Sequence, residues 1–188
     1  MSIKRIDVSA RTEADPATVY ALLRDGASWP TWSPITSFTL EQPAPAPSDG
    51  SGPAEPEGVG AIRCFRTKQA FGTTTSRERI VELRQDRRFS YTLLSGLPLR
   101  DYRANVDLEP TGTGTTIRWR SSFRPAIPGT GWLYRAILSA FIGRCARGLA
   151  EHAAKIAASG GTPGSRAQTG SGSDAAANTV SEAASGRG

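Results

Sequence analysis

The sequence predicts an α+β fold: an antiparallel sheet of about six or seven strands packed against one long C-terminal helix. Three observations carry this. An N-terminal strand is followed at once by two short helices rather than by a hairpin. Segments of alternating apolar and polar residues, separated by Gly- and Pro-containing turns, fill the middle of the chain. From Gly131 to about Ala158 the apolar period becomes helical.

Residues 3–12 alternate, with Ile6, Val8 and Ala10 on one face and Arg5, Asp7, Ser9 and Arg11 on the other, which predicts a half-buried strand. Asp15 then caps a helix, and Pro16 takes its first position, where a missing N–H costs nothing. Val19, Leu22 and Leu23 form its buried stripe, and Asp25-Gly26 ends it. Residues 28–34 read as a second short helix and 35–41 as a strand. Four further strands are expected at Ala61–Lys68, Thr73–Arg84, Arg88–Leu94 and Arg100–Glu109. A Pro110–Gly114 hairpin turn leads into a fifth, Thr115–Arg124. In the last helix Tyr134, Ile137, Leu138, Phe141, Cys145, Leu149, His152 and Ile156 are expected on one face, and burying that face requires the helix to cross the concave side of the sheet.

Composition separates one domain, at about residues 3–157 of a 1–158 unit, from a tail. Hydrophobic residues make up 38% of the chain, and the shortfall is local. Residues 159–188 are almost wholly Gly, Ser, Ala, Thr and Asn, a composition expected to stay disordered. A Pro/Gly-rich stretch at 43–58 is expected to be a mobile loop. The net charge of +6 lies on the domain, because Arg166 and Arg187 cancel Asp174 and Glu182 in the tail. Its arginines are spread over alternating strand positions without a basic block, the pattern of a solvated sheet face rather than a nucleic-acid surface. Cys64 and Cys145 lack metal-ligand spacing and read as reduced thiols. No apolar leader opens the chain and no run is long enough to span a membrane, so a cytoplasmic protein is expected.

Several pieces together resemble one superfamily. They are Ala14-Asp15-Pro16 with Val19-Tyr20-Ala21-Leu22-Leu23, Trp29-Pro30 with Trp32-Ser33-Pro34, Gly58-Val59-Gly60, Arg77-Glu78-Arg79-Ile80, Arg87-Arg88-Phe89-Ser90-Tyr91, Asp101-Tyr102 and Gly114-Thr115-Thr116-Ile117-Arg118-Trp119. In this order the chain resembles START-like (SRPBCC) proteins over about residues 3–157, and within them the polyketide cyclase/dehydrase and lipid-transport branch. The resemblance implies a helix-grip fold, a curved sheet wrapped round the long helix with a hydrophobic cavity between them. It transfers no catalytic set.

Given such a cavity, Trp32, Tyr91, Tyr102, Trp119 and Phe141 are expected to line it, with Trp29 near its mouth; the alternative is that these aromatics are ordinary core. Glu78 lies in a strand whose alternation is ambiguous, so either it or Arg79 faces inward. An inward Glu78 beside Arg63 or Arg120 would suit a proton shuttle or ligand anchor, whereas an outward one would be a surface ion pair. His152, the only histidine, falls on the apolar helix face, where it is either a base or an edge-of-core residue. No pattern calls for a metal or another cofactor. The leading expectation is non-catalytic binding or transport of a small hydrophobic molecule, a lipid or polyketide-like aromatic. The alternatives are a cyclase/dehydrase-type enzyme and a protein-binding co-factor module.

Overall fold

The computed structural model describes residues 2–46, 55–69 and 72–160. The centre of the 43–58 stretch and the tail from residue 161 lie outside the described residues. In chain order the elements are β1 (Lys4–Thr12), α1 (Pro16–Arg24), a 3-10 turn (Gly26–Ser28), α2 (Trp29–Trp32), β2 (Ser37–Gln42), β3 (Ile62–Gln69), β4 (Gly72–Arg84), β5 (Arg88–Ser95), β6 (Leu99–Thr111), β7 (Gly114–Pro125) and α3 (Gly131–Ala158). The seven strands form one antiparallel sheet in the order β1-β7-β6-β5-β4-β3-β2. The curved sheet grips α3, as expected of a helix-grip fold.

The start of the chain folds for local reasons. The Asp15 carboxylate accepts a 2.6 Å hydrogen bond from the Thr18 N–H, satisfying one free donor of α1. The segment expected as one helix over 28–34 is divided. Asp25 caps a 3-10 turn through the Ala27 N–H at 3.0 Å, and one α-turn then runs to Trp32 before Ser33 becomes extended. Between β6 and β7, Gly114 sits at φ 148°, and a side chain there would overlap the backbone of Thr12 and Glu13. Only glycine lets this hairpin close against the end of β1.

The outer face of the sheet takes up many of the arginines. Asp107 lies between Arg88, which donates from Nε at 2.6 Å, and Arg120, whose guanidinium also bonds it. Glu82 bridges Arg103 at 2.9 Å and Arg84 at 2.8 Å, and Asp7 pairs with Arg118 at 2.6 Å. Arg120, expected as one possible neighbour of Glu78, belongs to this outer network instead. Its strand position beside inward Trp119 puts it on the opposite face.

The buried face of α3 is rotated from the expected one. Leu138, Ile142, Cys145, Ala146, Leu149, Ala150 and Ala153 are buried, while Ile137 is 54% exposed. Tyr134, Phe141, His152 and Ile156 lie half-buried along its edges. Small residues win the inner face of the second half because they let α3 approach closely. The approach is closest at Gly148, where a methyl group would overlap the carbonyl oxygen of Trp32. At Gly143 the same methyl would meet only the flexible end of Arg147, at 3.5 Å. Gly148→Ala is therefore expected to destabilise the fold by about 1–3 kcal/mol through overpacking. Gly143→Ala is expected to be neutral or to stabilise it by up to about 1 kcal/mol through helix propensity. Urea unfolding of the two variants measures both; equal effects would show that α2 yields freely at this crossing.

Candidate functional site

A cavity of about 510 Å³ opens between the sheet and the first half of α3. Its walls come from β3, β4, β5 and β7, the start of β6, the Pro34-Ile35 segment after α2, and α3 from Ile137 to Cys145. The exposed residues Lys68, Ile137 and Arg144 belong to its lining and mark its mouth.

The inner end is built on Trp29. Its indole Nε1 donates to the Leu23 carbonyl at 3.2 Å, which ties it to the end of α1. Its ring stacks on Phe65 with centroids 5.0 Å apart and meets the edges of Trp119 at 5.9 Å and Tyr91 at 6.4 Å. Tilted and edge-on aromatic contacts of this kind are the favourable ones. Trp29 was expected near the mouth; it is 2% exposed and lies at the centre of this cluster. Trp32 packs behind it at 4.8 Å, donates its Nε1 to Ser28 Oγ at 3.0 Å, and does not line the cavity.

Beneath the cluster lies a buried cation. Arg63 donates to the carbonyls of Leu23 at 3.0 Å and Arg24 at 2.5 Å and pairs with Glu57 at 2.6 Å. Its guanidinium carbon stands 4.9 Å above the Phe89 ring. Burial pulls its pKa down to about 10 and the Glu57 charge opposes this, so Arg63 remains a cation at neutral pH.

Polar side chains also line the cavity: Thr67, Lys68, Thr74, Ser76 and Arg144, and Glu78 with two tyrosines. Glu78 pairs in register with Arg63 across β3 and β4 and lines the cavity. Burial pushes its pKa up to about 8, with the Arg63 charge pulling the other way. The Tyr102 hydroxyl lies 3.2 Å from Ser121 Oγ, and the Tyr91 and Tyr102 rings stand 6.1 Å apart. Burial raises the pKa of both phenols, that of Tyr102 to about 12, so both are neutral donors. Cys145 also lines the wall, and burial pushes its thiol up to about 12, which leaves it unreactive near neutral pH. Trp119 lines the cavity too, and its indole N–H is buried without a hydrogen-bond partner.

The family described as polyketide cyclase/dehydrase and lipid transport matches residues 4–157. The chain belongs to this family. No curated protein matches the chain. Among solved structures it is similar to Zhui aromatase/cyclase from Streptomyces sp. R1128, at 14% identity and a TM-score of 0.65, with 86% of this chain and 100% of that one covered. It is similar to norcoclaurine synthase from Thalictrum flavum in complex with dopamine and hydroxybenzaldehyde, at 12% identity and a TM-score of 0.62, covering 82% and 88%. Ara h 8.0201 gives 14% identity and a TM-score of 0.62, covering 82% and 99%. At these identities the likeness is one of fold.

In this member of the family the cavity brings together Trp29, Tyr91, Tyr102, Trp119, Phe141 and Glu78. Trp32 stands behind the wall, Arg120 lies on the outer face, and His152 sits half-buried on α3 about two turns beyond Cys145, the last lining residue of that helix. Sequence reading missed Leu138, Ile142 and Cys145 as lining. Leu138 and Cys145 already stood on the helix face expected to be buried, and only Ile142 lay outside it.

The proton on Glu78 gives a test. Unfolded, the carboxyl loses it near 4.5; folded, it keeps it to about 8. The unfolded state thus binds fewer protons between these values, so this group lowers stability as pH rises through the window, with no further loss above it. Glu78→Gln is expected to remove that part of the slope. Its melting temperature should gain on the native protein from about pH 5 to about pH 8. A difference that does not vary with pH would show that Glu78 titrates as an ordinary surface carboxylate.

Proposed function

We propose that the protein binds one small, largely aromatic hydrophobic molecule in this cavity and holds a hydrogen-bond acceptor of that molecule, such as a ketone oxygen. The observation that carries the reading is the open, mainly apolar cavity at whose wall Glu78, Tyr91 and Tyr102 stand together. The volume of about 510 Å³ suits a drug-sized ligand, and apolar walls with a few fixed polar groups suit one that is mostly hydrophobic. A protonated Glu78 and the Tyr91–Tyr102 pair add donors at the same wall. The open cavity favours this reading over a protein-binding module, which would use a collapsed cavity and an external groove.

A second reading, a cyclase/dehydrase-type enzyme in the same cavity, draws on Glu78. A carboxyl that titrates at about 8 can give and take a proton under ordinary conditions, and the neighbouring phenols can orient a substrate carbonyl. Glu78→Gln separates the two readings, because it would stop turnover in an enzyme and leave a carrier able to bind.

The probes are xanthone and xanthene, which share a tricyclic skeleton but only the first of which carries the ketone. Calorimetric titration is expected to give xanthone about three- to tenfold tighter binding, the value of one hydrogen bond. Tyr102→Phe should shrink the difference and leave xanthene nearly unchanged. Xanthone affinity should fall as pH rises through about 8, because the ionised Glu78 accepts rather than donates and resists losing water to an apolar ligand. Equal affinity for the two probes would refute the acceptor assignment, and failure of both to bind would refute the cavity reading. Native mass spectrometry of the purified protein would show a natural occupant directly.

A further inference from the structure

Four large apolar side chains are exposed where the chain passes from β7 into α3: Ile127 at 51%, Trp132 at 71%, Leu133 at 41% and Ile137 at 54%. On α3, at about 100° per residue, Trp132, Leu133, Ala136, Ile137 and Ala140 fall within an arc of about 140°. All five are exposed, so the outward face of the first half of this helix is continuously apolar. The outward face of the second half is charged, with Arg144, Arg147, Glu151 and Lys155. The helix is therefore apolar on both faces in its first half and amphipathic in its second.

The charge beside the apolar stripe has one sign. No Asp or Glu occurs from Pro110 to Ala150, while Arg135, Arg144 and Arg147 stand on α3 and the Lys4 side chain lies over Gly131. None of these four cations is ion-paired among the described residues, whereas Arg88, Arg103, Arg118 and Arg120 on the outer sheet face are each matched to a carboxylate. Ile137 and Arg144 also belong to the cavity lining, so the stripe runs into the mouth.

We infer that this face docks on an anionic lipid bilayer, with Trp132, Leu133 and Ile127 entering the interface and Arg135, Arg144 and Arg147 meeting the head groups. A Trp-bearing apolar stripe flanked only by cations is the composition of a helix that lies in a membrane interface. A second copy of the chain fits worse, because a two-fold contact would set these arginines against their own copies. The tail from Gly161 onward offers little to cover the stripe, since Pro163 and Val180 are its only apolar residues larger than Ala. Among the described residues no helix is long and apolar enough to cross a membrane, so the contact is peripheral. Docking here would set the cavity mouth at the bilayer, where hydrophobic small molecules collect. That advantage rests on the reading of the cavity as a ligand site, but the docking itself does not.

The test uses the full chain and vesicles of phosphatidylcholine, with and without about 30 mol % phosphatidylglycerol. Of the four tryptophans only Trp132 is exposed, so a shift in emission reports on it. The anionic vesicles are expected to carry the protein down on sedimentation and to shift emission to the blue, with at least tenfold weaker partition onto neutral vesicles. Trp132→Ser combined with Leu133→Ser should lower partition at least tenfold and leave xanthone binding unchanged, which also verifies the fold. The inference is overturned if the native protein stays with the supernatant at low salt, or if the double variant partitions as well as the native protein. It is equally overturned if light scattering finds a dimer in which Trp132 emission is already blue without lipid. Vesicle binding without xanthone binding would leave the docking standing and remove the cavity reading. Xanthone binding without vesicle binding would do the reverse.

Discussion

A buried guanidinium organises this molecule. Removing a cation from water is costly, and the cost is met only when several acceptors are held around it. Arg63 has them: two carbonyls at the end of α1, the Glu57 carboxylate and the face of Phe89. The same Leu23 carbonyl also accepts from Trp29. The end of the first helix, the start of β3 and the aromatic cluster are thereby fixed to one another through a few atoms. Glu57 also accepts from the Gly26 N–H at 3.1 Å, which draws the chain before β3 into the same knot. The cavity begins where this arrangement ends, with Glu78 facing Arg63 in register.

That Glu78 keeps its proton follows from the same economy of charge. Arg63 is already matched to Glu57, so it offers Glu78 only a partial attraction, and burial outweighs it. The site thus holds a neutral acid, two neutral phenols and an indole N–H. The acid and the phenols line the cavity and can donate, whereas the indole N–H is shut inside the wall.

Much of the fold was legible because its signals are local. Asp15 and Pro16 mark a helix start wherever they occur together, and the alternation of Ile6, Val8 and Ala10 or of Ile117, Trp119 and Phe123 needs only a sheet to face. Where reading failed, the cause was a departure from period. Register shifts at Arg77/Glu78 and Ile80/Glu82 interrupt the alternation of β4, so the inward member of Glu78 and Arg79 was not decidable from spacing. On α3 the large apolar residues suggested one face, but close packing selected the face bearing Gly143, Ala146, Ala150 and Ala153. Trp32 reads like a lining residue and is not one, because α2 is a single turn that sends only one of its two indoles towards the cavity. Trp132 carried no sequence signal of exposure at all.

The crossing of α2 and α3 at Gly148 has a geometric consequence for the other end of the helix. Gly148 and Ile137 are eleven residues apart, about 16 Å along the axis. Small side chains hold one end of α3 close to its neighbours while bulky ones hold the other end away, so helix and sheet diverge like the jaws of a caliper. A tilt of about 4° at the pinned end moves the free end by roughly 1 Å on this length. The width available to a guest is therefore set at a distance, by the thickness of the contact where there is no side chain.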